Sequence, residues 1–236
     1  MGPGAHARGI AGTWLVGAST AIVILGASIA PFLAPPVVRF EQDRTNVGAL
    51  TGFSPRALDE ATTAILGDLV LWQGDFDVHI SNGPIGEGVL NDAERSHMRD
   101  VRGVFTGFWA VVLLGVVGLV VAARRSAGDV AARSAAWRAV GRGARALSVV
   151  IAVVGAFAVF AFDAAFEVFH RIFFSGNYTF DPATEKLVQL FPEQFWSEIA
   201  IAVGAVTIVA AIAVSMVASR RAGRPLVMAP RPEVAA

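Results

Sequence analysis

Two spacings in this 236-residue sequence carry ionisable chemistry. "ERSH" sets Glu94 three residues ahead of His97, and "EVFH" sets Glu167 three residues ahead of His170. Residues three apart on a helix are neighbours, so each pair presents a carboxylate beside an imidazole. An imidazole titrates closer to neutrality than any other unperturbed side chain, which suits it to general acid or base work. Paired Glu-x-x-His motifs are also what two helices contribute to a carboxylate-bridged di-metal site, with a glutamate from each of two further helices. On that alternative Glu94, His97, Glu167 and His170 are ligands, but beyond them only Glu198 and loop acids are on offer. Asp100, Arg171, Asn177 and Tyr178 complete the polar set. Asp100 or Glu94 is placed to orient His97, Glu167 and Arg171 flank His170, and Asn177 and Tyr178 offer hydrogen-bond donors.

Each of these residues has a plainer role open to it. A histidine sits at a lipid–water boundary simply because its polar tip reaches water. Glu94 lies three residues after Asn91 and fits a capping box. Tyr178, Trp109 and Trp196 fit an aromatic belt. The remaining histidines, His6 and His79, stand in a tail and a loop and carry no candidate chemistry.

The elements that must position these groups are transmembrane. The composition is 55% hydrophobic and only 16% charged, too apolar for an ordinary soluble domain. Four apolar stretches, residues 13–34, 104–123, 147–168 and 199–218, reach the ~20 residues a helix needs to cross a bilayer core. The expectation is one all-α integral membrane domain over residues 1–236. The first stretch is longer than the ~7–15 residues of a signal-peptide core and reads as a retained anchor.

Arginine sets the orientation. Residues 124–146 hold six arginines against one acid, and Arg220, Arg221, Arg224 and Arg231 follow the fourth stretch. Lys and Arg in short flanking segments stay on the cytoplasmic side, so this loop and both termini are expected inside, with segments 35–103 and 169–198 outside. His97 and His170 then fall near the outer ends of the second and third spans. Helices joined by a short inner loop pack side by side, which would bring the two imidazoles together.

The outer segment has structure of its own. Ser54 as N-cap and Pro55 at the first helical position open an amphipathic helix with Leu58, Ala61, Ile65, Leu69 and Trp72 at helical spacing. Asn91 or Asp92 caps the helix leading into the second span. The glycines of "HISNGPIGEG" do not make a nucleotide loop, because no strand precedes them and no lysine follows. The short arginine clusters are explained by topology or anionic lipid rather than nucleic acid. The absence of cysteine excludes disulfides, thiolate metal sites and a cysteine nucleophile.

The order of these parts, with "ERSHMRDV" ahead of the second span and "FHRIFF" followed by "FDPATEKLVQLFPEQFW" ahead of the fourth, resembles the family of bacterial membrane proteins that includes the lipoprotein intramolecular transacylase, Lit. The likeness runs over nearly the whole chain. It implies an acyltransferase of the bacterial plasma membrane, active on the extracytoplasmic face and needing no cofactor. The substrate it implies is a diacylglyceryl-modified lipoprotein, whose sn-2 acyl chain moves to the α-amino group of the modified cysteine. The family's two outward histidines correspond to His97 and His170.

That chemistry suits the residues. Acyl transfer from an ester oxygen to an amine needs a neutral amine, and an α-ammonium of pKa about 8 is well matched to a histidine base. His97 stands near the start of its helix, where the macrodipole disfavours an imidazolium, and His170 near the end of its own, where it favours one. His97 is therefore expected as base and His170 as proton donor or oxyanion partner. The metal alternative and a non-catalytic scaffold predict different geometries, carboxylates converging on both imidazoles in the first and histidines pointing apart in the second.

Overall fold

The computed structural model describes residues 3–81, 88–174, 176 and 178–223, with side chains from residue 12 onward. Asn177, the 82–87 part of the Gly-rich loop, Arg224 and Arg231 lie outside the described residues, as does the side chain of His6. Nine α-helices are found there: α1 Pro3–Ile29, α2 Pro35–Arg44, α3 Val47–Thr51, α4 Pro55–Leu71, α5 Asp92–Ser126, α6 Val130–Phe160, α7 Phe162–Phe173, α8 Lys186–Leu190 and α9 Glu193–Ala222. No strand occurs among the described residues.

Four helices are long and apolar enough to cross a membrane: Gly12–Leu33, Asp92–Ser126, Val130–Phe160 and Glu193–Ala222. Their surfaces remain apolar and exposed, as at Leu113, Leu114, Val153 and Val209, because lipid is the solvent on that side. Helices packing in lipid approach through small residues rather than by excluding water. A Cβ on Gly143 of α6 would overlap the Gly17 carbonyl of α1, and one on Gly115 of α5 would strike Ile22. So α1 is the central helix, packed on α5, α6 and α9, while α6 packs chiefly on α9 and α1.

At one end of the bundle the segments between spans build a cap with its own core. Helix α4 begins as its sequence dictates, with the Ser54 hydroxyl accepting from the Ala57 N–H and Pro55 in the first turn. Its periodic residues Leu58, Ala61, Ile65 and Leu69 are buried with Val38, Val47, Phe76, Met98, Leu187 and Leu190. Trp72, the expected fifth member of that stripe, is exposed, because it is the C-cap in left-handed conformation (φ 56°) and its side chain leaves the helix face. Polar ties cross the cap: fully buried Gln42 donates to the Leu190 carbonyl (3.1 Å) and accepts from the Thr62 hydroxyl (2.8 Å).

The third span departs from expectation. The sequence carries it through residue 168, yet α6 ends at Phe160 and Ala161 leaves helical geometry (φ −147°, ψ 54°) before α7 begins. The expected side-by-side pairing of the second and third spans is also minor compared with the contacts each makes to α1. The histidines are brought together by α7, a separate short helix beyond the break.

Candidate active site

The first turns of α5 are polar and precede its apolar run. Asn91 and Glu94 form the expected capping box, the Asn91 side chain accepting from the Glu94 N–H (2.9 Å) and the Glu94 carboxylate accepting from the Asn91 N–H (2.7 Å). This fixes where α5 starts, and His97 follows one turn on. On α7, His170 lies in the last turn, its Nδ1 2.8 Å from the Phe166 carbonyl one turn back. A carbonyl only accepts, so Nδ1 carries the hydrogen and Nε2 is the atom left to exchange a proton.

The two imidazoles are stacked, with ring centroids 6.0 Å apart and planes 15° from parallel. Both are buried, at 8% and 7% exposure, which for histidines at a membrane boundary excludes simple solvation of the polar tip. Aromatic rings enclose them. Phe174 touches both (4.9 and 5.4 Å), Phe166 covers His170 at 4.1 Å, Phe180 meets His97 edge-on at 5.4 Å, and Tyr178 lies 5.2 Å from His170.

His97 lies outside the apolar part of its helix. Burial holds its imidazole below the ordinary histidine value, charge on His170 pushes the same way, and Asp100 pulls it back up. Burial likewise raises the Glu94 carboxyl, opposed by the N–H groups of Leu187 and Asn91.

The sequence-derived site residues separate into two groups. His97, His170 and Tyr178 converge, and Glu167 adjoins them: its carboxylate accepts from Arg171 Nε (2.7 Å) and from the Tyr178 hydroxyl (3.4 Å). The Glu94 carboxylate is engaged by backbone donors, the first being the Asn91 N–H. Its second oxygen accepts from the Leu187 N–H (2.6 Å), tying α5 to the segment that carries Phe180. Asp100 is exposed on α5 and reaches His97 through its field alone. Both Glu94 oxygens accept from backbone donors and Glu167 is paired with Arg171. Among the described residues no group of three or more His, Asp or Glu side chains is arranged to hold a metal ion.

Two features were not anticipated. The Phe166 carbonyl that orients His170 is foreshadowed by their i, i+4 spacing. Arg102, buried at 9%, donates to the Gly74 carbonyl (2.8 Å), pairs with Asp75 and lies over the Trp72 and Phe76 rings. It clamps the loop after α4 onto α5, and no sequence signal marks it.

Fold and site together define a polytopic helical membrane protein with a buried imidazole pair where its bundle meets its cap. Residues 14–196 match the model of the lipoprotein intramolecular transacylase Lit family, and the chain belongs to that family of acyltransferases. The in meso structure of the membrane integral lipoprotein intramolecular transacylase Lit from Bacillus cereus superimposes with a TM-score of 0.75 at 17% identity, covering 92% of this chain and 96% of that one. A variant of it with one histidine replaced by arginine gives 0.72 at 17% identity over 92% of both chains. At such identity the likeness is one of fold. No curated protein matches the sequence.

Proposed function

We propose that this chain moves the sn-2 acyl chain of a diacylglyceryl-cysteine lipoprotein to the cysteine α-amino group, with His97 and His170 as the acid–base pair. The observation that carries this reading is the stacked, buried imidazole pair; membership of the transacylase family supports it. His97, held neutral by burial, takes the proton of the attacking α-amine. The new C–N bond gives a tetrahedral centre whose oxyanion is stabilised by charged His170 and the Tyr178 hydroxyl. His170, its ring fixed through Nδ1 to the Phe166 carbonyl, gives its Nε2 proton to the departing sn-2 oxygen as the C–O bond breaks. An ester and an amine become an amide and an alcohol, with no net proton change once the pair re-equilibrates, so the step calls for neither ATP nor water. Arg171 and Glu167 hold Tyr178 over the site, and Glu94 holds the Phe180 segment.

The reading also has a side. The arginines at the end of the bundle away from the cap support a cytoplasmic loop and termini, with the cap and site at the outer leaflet of the bacterial plasma membrane, where the substrate's lipid resides. Mass spectrometry of lipoprotein N-termini from cells with and without the protein tests the function. An N-acyl, lyso-glyceryl form present only with the protein is the expected result; acyl chains remaining on glycerol in both samples would refute it.

A further inference from the structure

The break at Ala161 separates the end of α6 from α7 and leaves a groove beside α9. Its cavity is about 280 Å³ and is walled by Gly155, Ala158 and Val159 of α6, Phe162 of α7, and Ala200 and Ile201 of α9. Glu193 and Ser197, in the first two turns of α9 and so on the cap side, supply its only polar walls. The groove is therefore polar where it meets the cap and apolar farther into the bundle. Around it Phe157, Val159 and Phe160 are exposed at 55, 60 and 90%, so it opens to hydrocarbon. A cavity at the lower end of ligand-pocket sizes, roughly 300–1,000 Å³, with apolar walls and one polar end, suits part of a single linear chain.

One wall of the groove, Phe162, belongs to the same short helix as His170. Phe162, Phe166 and His170 are spaced i, i+4, i+8 and lie along one face of α7, with ring centroids 5.7 Å apart for the first pair and 4.1 Å for the second. Eight residues of helix rise ~12 Å, so a row of packed rings of that length leads from the Phe162 wall of the groove to His170. We infer that the groove between α6, α7 and α9 seats the acyl chain undergoing transfer, and that Gly155, Ala158 and Ala200 set the length it accepts. The inference rests on the transacylase reading, because the occupant is that reaction's own acyl group.

Gly155 provides the test, since a Cβ there meets nothing within 4 Å; Gly155→Leu fills the groove without a backbone clash. Gly107 of α5 is equally open, and Gly107→Leu controls for adding bulk to a lipid-facing helix. Purified parent and variants are given an equimolar mixture of diacylglyceryl lipopeptides with octanoyl or palmitoyl at sn-2, and both products are quantified by mass spectrometry. Gly155→Leu, and Ala200→Leu from the opposite wall, should lower the palmitoyl-to-octanoyl product ratio by on the order of tenfold or more, with the Gly107→Leu ratio equal to the parent's. An unchanged ratio in both groove variants, or an equal loss of both products, would overturn the inference. Parent protein that transfers neither chain would instead bring down the transacylase reading itself, and thermal unfolding in detergent identifies any variant that fails to fold.

Discussion

Glu94 sits one turn before His97 at 1% exposure, and its carboxylate accepts from two backbone donors, Leu187 N–H at 2.6 Å and Asn91 N–H at 2.7 Å. Glu94→Ala removes both bonds. The Asn91 donor lies at an exposed helix start and regains water. The Leu187 donor belongs to a buried residue and is stranded, at a cost of ~1–3 kcal/mol for an unsatisfied buried group. The net worth of one bond to a charged acceptor is of the same size, ~1.5–3 kcal/mol, and the Leu187 bond dominates the loss, so the expected destabilisation is about 3 kcal/mol. Glu94→Gln keeps one acceptor and should recover about half of it. Because the tie holds the segment carrying Tyr178 and Phe180, activity should fall with Glu94→Ala even where the bundle stays intact. Thermal unfolding in detergent gives the magnitude, and hydrogen exchange at the Leu187 amide gives the location. Unchanged unfolding and unchanged Leu187 protection in Glu94→Ala would refute the reasoning.

Other consequences follow from the same geometry. Asp100 raises the His97 pKa, so Asp100→Asn should lower it and move the acid limb of the pH–rate profile to lower pH, since the base must be neutral; a shift to higher pH would exclude His97 as base. Exhaustive chelation should leave transfer unchanged, and a loss restored by one added metal would revive the metal alternative. Gly143→Val forces a side chain into the Gly17 backbone and should abolish accumulation of folded protein, measured by size exclusion in detergent; normal yield would contradict the α1–α6 crossing. Reporters inserted near Arg133 and near Gly83 should read cytoplasmic and external respectively, and the reverse labelling would overturn the topology.

The parts that were legible in the sequence are those whose cause is local. Long apolar runs fixed the spans, Ser54-Pro55 and Asn91–Glu94 fixed two helix starts, and the α4 stripe marked its buried face. What was hidden depends on tertiary context. Nothing in "AVFAFDAAF" breaks a helix, with neither glycine nor proline between Ala156 and Ala165, so the break at Ala161 had no local signal. The left-handed backbone at Trp72 and Phe76 (φ 56° and 60°) is likewise invisible, since neither residue prefers it; Arg102 and Asp68 hold that loop through its carbonyls and the Phe76 N–H. The imidazole pair was anticipated through the wrong neighbours: α5 and α6 were expected to bring it together by packing side by side, whereas α7 delivers His170 from beyond the break.

The central claim is that His97 and His170 together move an acyl group from glycerol to nitrogen. Its most direct test is incubation of a purified diacylglyceryl lipopeptide with the parent protein, His97→Ala and His170→Ala, each confirmed folded by thermal unfolding, with the position of every acyl chain read by tandem mass spectrometry. The parent should give peptide acylated on the cysteine nitrogen with a free sn-2 hydroxyl, and both variants should leave the substrate unchanged. N-acyl product formed at the parental rate by either variant would contradict the account.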